Sequence, residues 1–137
     1  MPVVGDVSAR KSRTMLTLNT SRPTILLVDD DPIILTMLTK FLSVVAPSYD
    51  VVALPNGTQA LDYLSNRPIA LVVTDFNMPG LDGLQLARLV KIQQPGTPVM
   101  LISGMVFQSL ESEVDSYLVK PFSLMDMQQA VDAVLTP

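Results

Sequence analysis

The chain has 137 residues, a length that fits one domain and not two. Apolar residues make up 48% and aromatics 5%, with no Trp, so any core must be assembled from Leu, Ile, Val and Met. Cys and His are both absent, which excludes disulfides, thiol catalysis, imidazole bases and thiolate or imidazole metal sites; a metal here must be held by oxygen, as a hard cation such as Mg2+ is.

The net charge of -4 is unevenly spread. Residues 1–22 carry Arg10, Lys11, Arg13 and Arg22 against Asp6 alone, net +3, which leaves residues 23–137 at net -7. An acidic domain is a poor binder of phosphate backbones, so no direct nucleic-acid contact is expected. Residues 1–22 read as a basic, disordered extension and residues 23–137 as the domain. No stretch reaches the ~18 apolar residues of a membrane span, and the extension has no apolar segment of signal-peptide length. A cytoplasmic location without membrane attachment is the expectation.

From Pro23 onward, apolar runs alternate with helical patterns. Thr24 to Val28 reads as a strand. Asp31 can then cap a helix whose first position is Pro32, a residue with no N–H to leave unpaired. The stripe Ile34, Met37, Leu38, Phe41, Leu42 and Val45 gives that helix one buried face, and Pro47 ends it. Tyr49 to Leu54 predicts a second strand, and Asn56-Gly57-Thr58 a turn into a helix carrying Ala60, Leu61 and Leu64. Ile69 to Thr74 is apolar nearly throughout, without alternation, as a central parallel strand covered on both faces requires. Asp82-Gly83 opens a helix over Leu84 to Gln93, which Gln94-Pro95-Gly96-Thr97-Pro98 breaks before a strand at Val99 to Ile102. Tyr117 to Val119 is a short fifth strand, followed by a helix with Leu124, Met127, Val131, Val134 and Leu135 on one stripe. The methionines on these stripes, Met37 and Met127, read as core.

Five strand-helix units with short connections predict an α/β fold: a doubly wound parallel sheet with right-handed crossovers and helices on both faces. Ligands in such sheets sit beyond the carboxyl ends of the strands, where strand order reverses. Asp29, Asp30, Asp75, Ser103 and Lys120 all fall at those ends. Two carboxylates about 4 Å apart repel by roughly 4 kcal/mol at an effective dielectric of 20. Either a proton stays bound or a cation sits between them, and Mg2+ suits an all-oxygen site. A metal, an ammonium and a hydroxyl around one carboxylate are phosphoryl-transfer equipment. Asp75, ending the most continuously apolar strand, is the carboxylate best placed to attack and form an acyl phosphate.

These residues resemble the receiver domains of two-component response regulators over residues 24–135. The resemblance is carried by the acid pair Asp29-Asp30 after the first strand, Asp75 with Met78-Pro79 and Asp82-Gly83 after the third, Ser103 after the fourth and Lys120-Pro121-Phe122 after the fifth. It implies the flavodoxin-like strand order 2-1-3-4-5. It makes Asp75 the phosphoacceptor and Asp29, Asp30, Asp75 and the Asn77 backbone carbonyl the Mg2+ ligands, Asp30 the more direct of the pair. Ser103 and Lys120 become the residues that contact the phosphoryl group, with a cis bond before Pro121, and Ser103 and Tyr117 the switch residues. The partners implied are a sensor histidine kinase or phosphotransfer protein and a downstream protein, with a homodimer possible. Such a domain catalyses only its own phosphorylation and dephosphorylation.

Met105 stands where the family tunes phosphoryl lifetime, and an apolar side chain there cannot orient water. Slow hydrolysis is expected, faster in Met105→Glu when decay of the phosphorylated forms is followed; equal rates would refute this. Ser103 to Lys120 spans fewer residues than receivers use there, which predicts one or two turns in place of the fourth helix and an altered output surface. Two other readings remain: a pseudo-receiver used unphosphorylated as an interaction module, and a haloacid-dehalogenase-type phosphatase, suggested by the Asp-x-Asp spacing of Asp29 and Asp31.

Overall fold

The structure is a computed structural model that describes residues 22–105 and 112–135. The extension up to residue 21, and residues 106–111 where the shortened fourth helix was expected, lie outside them.

Five parallel strands form one sheet: β1 (Thr24–Val28), β2 (Asp50–Leu54), β3 (Leu71–Asp75), β4 (Val99–Ser103) and β5 (Ser116–Val119), in the order β2-β1-β3-β4-β5. Four helices are present among the described residues: α1 (Pro32–Val45), α2 (Gly57–Leu64), α3 (Gly83–Gln93) and α4 (Leu124–Leu135). The chain leaves β1 to one side for β2 and returns to the other for β3, so strand order reverses between β1 and β3. Their pairing of Val28 with Thr74, and of Asp75 with Ile102 on β4, brings the carboxyl ends level.

The apolar runs follow from burial on both faces. Ile25, Leu27, Leu71, Val73, Met100, Ile102 and Leu118 face α1 and α4, where Leu38, Leu42, Met127 and Val131 meet them. Leu26, Val28, Val72, Val99 and Leu101 face α2 and α3, packing on Ala60, Leu64, Leu86 and Val90. Each such side chain contributes about 1.5–3 kcal/mol of burial. No described helix is long and apolar enough to cross a membrane.

Side-chain caps fix where the helices start. Asp31 Oδ1 accepts from Ile33 N at 2.9 Å with Pro32 first in α1, and Asn56 Oδ1 accepts from Gln59 N at 2.8 Å in α2. Asp82 and Gln85 form a reciprocal capping box on α3. Strand β3 starts at Leu71 rather than Ile69 because the Ile69 N–H is taken at 3.0 Å by Gln94 Oε1, whose amide also donates to Leu64 O and Arg67 O. Arg22 donates to the carbonyls of Pro47, Ser48 and Tyr49 and pairs with Asp50, tying the start of the described chain beneath β2.

One expectation changes. Met127 is fully buried, but Met37 is 39% exposed, because α4 and the Lys120–Phe122 turn cover only part of the α1 stripe. Asp115 fastens the entry to β5. Its Oδ2 accepts from Val99 N at 2.8 Å and Lys91 Nζ at 2.7 Å, so α3 and β4 are joined to it by polar contacts.

Candidate functional site

Strand ends deliver the charged candidates and Ser103. Asp29 and Asp30 follow β1, Asp75 closes the central strand β3, Ser103 closes β4 and Lys120 follows β5. Asp29, Asp30 and Asp75 each bring a carboxylate oxygen within 4.8 Å of the others. Asp29 and Asp75 are buried and Asp30 is exposed, so the cluster is open on the Asp30 side.

Lys120 Nζ donates to Asp75 Oδ1 at 2.9 Å, and the Lys120 N–H donates to Ser103 O at 2.8 Å, which places the lysine over the end of β4. The Lys120–Pro121 bond is cis. Ser103 is 3% exposed and its Oγ accepts from Met105 N at 3.0 Å. Asn77 lies two residues beyond β3, in a loop tied down where Phe76 N–H donates to Ile102 O and Gly83 N–H to Phe76 O. Tyr117 is half-buried against the core cluster that contains Leu101 and Val114. Asp31 is committed to the α1 cap, and its own N–H donates to Asp29 Oδ1 at 2.9 Å.

Asp29 Oδ2 is buried and has no hydrogen-bond partner among the described residues. An acceptor in that state costs about 1–3 kcal/mol or more. Burial raises the Asp29 carboxyl above its ordinary range; the Asp31 N–H bond opposes this, Asp75 adds to it, Lys120 opposes it and Asp30 adds to it. Three clustered carboxylates facing one ammonium, with an orphaned buried oxygen among them, fit a hard divalent cation.

The raised Asp29 has a consequence for stability without metal. The folded state keeps this proton to higher pH than the unfolded chain does, so stability is full below the ordinary value of ~3.9 and declines as pH rises through the raised one. Asp29→Asn should remove the decline and leave the metal-free protein more stable than wild type at pH 7, with a higher Tm. Thermal unfolding of both proteins in EDTA across pH 4 to 8 checks this, and parallel curves would contradict it.

Beside Lys120, an apolar groove of about 340 Å³ is lined by Ile34, Met37, Leu38, Phe41, Pro121 and Phe122, with Phe41 and Phe122 edge to face at 6.3 Å. Periodicity marked Met37 and Phe41 as apolar but could not show that they line a groove with Lys120.

The family model of the response regulator receiver domain matches residues 25–132. The chain is 33% identical over 116 residues to the response regulator receiver protein CpdR of Brucella abortus, covering 81% of this chain and 95% of CpdR. It is equally identical to the transcriptional regulatory protein GlrR of Escherichia coli K12, but there it spans 26% of the relative's length, and it spans 53% of the DNA-binding response regulator MtrA of Mycolicibacterium smegmatis. Among solved structures, TrrA of Thermotoga maritima, in complex with Mg2+ and BeF, is 27% identical with a TM-score of 0.73, covering 82% of this chain and 99% of TrrA. TrrA is also solved in complex with the histidine kinase ThkA.

Proposed function

The chain belongs to the response regulator receiver domain family, and from that premise we propose that it accepts a phosphoryl group on Asp75 with Mg2+ from a phosphohistidine of a sensor kinase or phosphotransfer protein. An Asp75 carboxylate oxygen forms the new bond to phosphorus as the P–N bond of the donor breaks, the electron pair returning to the imidazole. Hydrolysis reverses the state: water attacks phosphorus, the bond to Asp75 breaks, and inorganic phosphate leaves.

The observation that carries this reading is the Asp75 carboxylate itself, 7% exposed at the end of the central strand, paired at 2.9 Å with Lys120 and clustered with Asp29 and Asp30. Mg2+, held by Asp29, Asp30, Asp75 and the Asn77 carbonyl, would neutralise phosphoryl oxygens. Lys120 places its ammonium on the acceptor carboxylate, where charge on the incoming group gathers. Ser103, buried at the end of the adjacent strand, offers a hydroxyl to the phosphoryl group, and Tyr117 on β5 relays the change towards the edge of the sheet. The apolar groove beside Lys120 gives a donor protein a contact face next to the acceptor.

The phosphatase reading loses its support, because Asp31, the second acid of the Asp-x-Asp spacing, is spent on the α1 cap. Wild-type protein incubated with Mg2+ and acetyl phosphate should gain one phosphoryl group by intact mass, and chelation should prevent it. No gain, with or without Mg2+, would leave the pseudo-receiver as the function.

A further inference from the structure

The loop between β3 and α3 turns at Gly80, where φ is +78°. Its ends are tied by the 2.8 Å bonds from Phe76 N to Ile102 O and from Gly83 N to Phe76 O, so α3 begins directly against the backbone of Asp75. A Cβ at Gly83 would lie 2.4 Å from Asp75 O, 2.6 Å from Leu101 Cδ1 and 2.9 Å from Phe76 Cα. Two of these are backbone atoms, which no rotamer change can move aside. On the other flank, a Cβ at Gly57, the first residue of α2, would lie 2.9 Å from Leu81 Cβ and 3.2 Å from its Cδ1. The loop is therefore seated between two helix starts with no space for a methyl group at either.

We infer that Gly83 is a positioning residue for the metal site, and that Gly57 supports it from the α2 side. Together they set where the Phe76–Asp82 segment, and with it the Asn77 carbonyl, stands against Asp29, Asp30 and Asp75. This rests on the reading that these groups hold Mg2+. Restoring a normal contact of ~3.5 Å at Gly83 requires a shift of about 1 Å. Asp75 cannot supply it, because β3 is hydrogen-bonded between β1 and β4. Nor can α3 readily move, with Leu86, Ala87 and Val90 all fully buried. The displacement falls on the loop, and a misplacement of ~1 Å at a reacting centre can cost about 10²-fold.

The test is calorimetric titration of the full chain with MgCl2, beside far-UV spectra and thermal unfolding. Gly83→Ala should stay folded and bind Mg2+ at least about tenfold more weakly than wild type, whereas a purely structural role would lower Tm and leave the affinity alone. Gly57→Ala should weaken binding about threefold, and adding Leu81→Ala, which removes the atoms that Cβ would meet, should restore it. If Gly83→Ala does not fold, the Gly57 and Leu81 pair decides. Affinity within about twofold of wild type in every folded glycine variant overturns the inference. Wild type that binds no Mg2+ overturns the underlying reading as well, while tight binding by wild type and variants alike overturns this inference alone.

Discussion

Asp75→Asn is expected to gain no phosphoryl group from acetyl phosphate and Mg2+, a loss on the order of 10³-fold or more in rate, because a neutral amide oxygen is a far weaker nucleophile than a carboxylate. The substitution is nearly isosteric, and Lys120 can still donate to the amide oxygen where it now meets Oδ1 at 2.9 Å. It also removes one of the charges that raise the Asp29 carboxyl. The variant should therefore be at least as stable as wild type at pH 7 without metal, and its failure to label could not be laid to unfolding. Intact mass after incubation, with thermal unfolding alongside, makes the measurement. Labelling that persists in Asp75→Asn would move the acceptor to Asp29 or Asp30 and sink the proposed mechanism.

Lys120→Ala should slow phosphoryl uptake by about 10²-fold, the usual cost of removing one preorganised charge partner from a transition state. A second effect is expected on stability. Lys120 is among the groups holding the Asp29 carboxyl down, and its loss leaves three carboxylates with no cation between them. Because Lys120 is 39% exposed, the penalty should stay near 1–2 kcal/mol rather than that of a fully buried pair. The sign follows from Asp29: its carboxyl rises further, so the penalty is present at neutral pH and fades as pH falls towards ~4 and the cluster takes up protons. Lys120→Arg should recover the stability but not the rate, since a planar guanidinium restores charge without the same point contact. Stopped-time labelling and unfolding of both variants across pH would show this; a normal rate in Lys120→Ala would exclude the lysine from the chemistry.

Much of the site was legible because strand ends announce themselves. A buried strand gives no reason for aspartates or a lysine, so Asp29, Asp30, Asp75 and Lys120 stood out where apolar runs stopped, and the unbroken run before Asp75 marked its strand as central. Asp31 was readable as a cap because Pro32 follows it. Other features were not legible, for physical reasons. Periodicity assigned Met37 to an apolar face, but how far the neighbouring elements reach over that face is a tertiary property. Ile69 has the composition of a strand residue, yet a glutamine 25 positions away takes its N–H. Asp82-Gly83 read as a helix start, and nothing local revealed that a Cβ at Gly83 would meet the backbone of Asp75.

The sequence by itself determined the alternation of strands and helices, the parallel sheet and the identity of the charged groups at its carboxyl edge, since these depend on local pattern and on which side chains exist at all. Tertiary structure alone decided the distances. Whether three carboxylates converge within 4.8 Å, whether Lys120 reaches Asp75, and which oxygen of Asp29 is stranded all depend on strand register and on helices packing without a spare methyl's width. Those quantities are set between segments far apart in the chain, where side-chain volume and hydrogen-bond geometry act together.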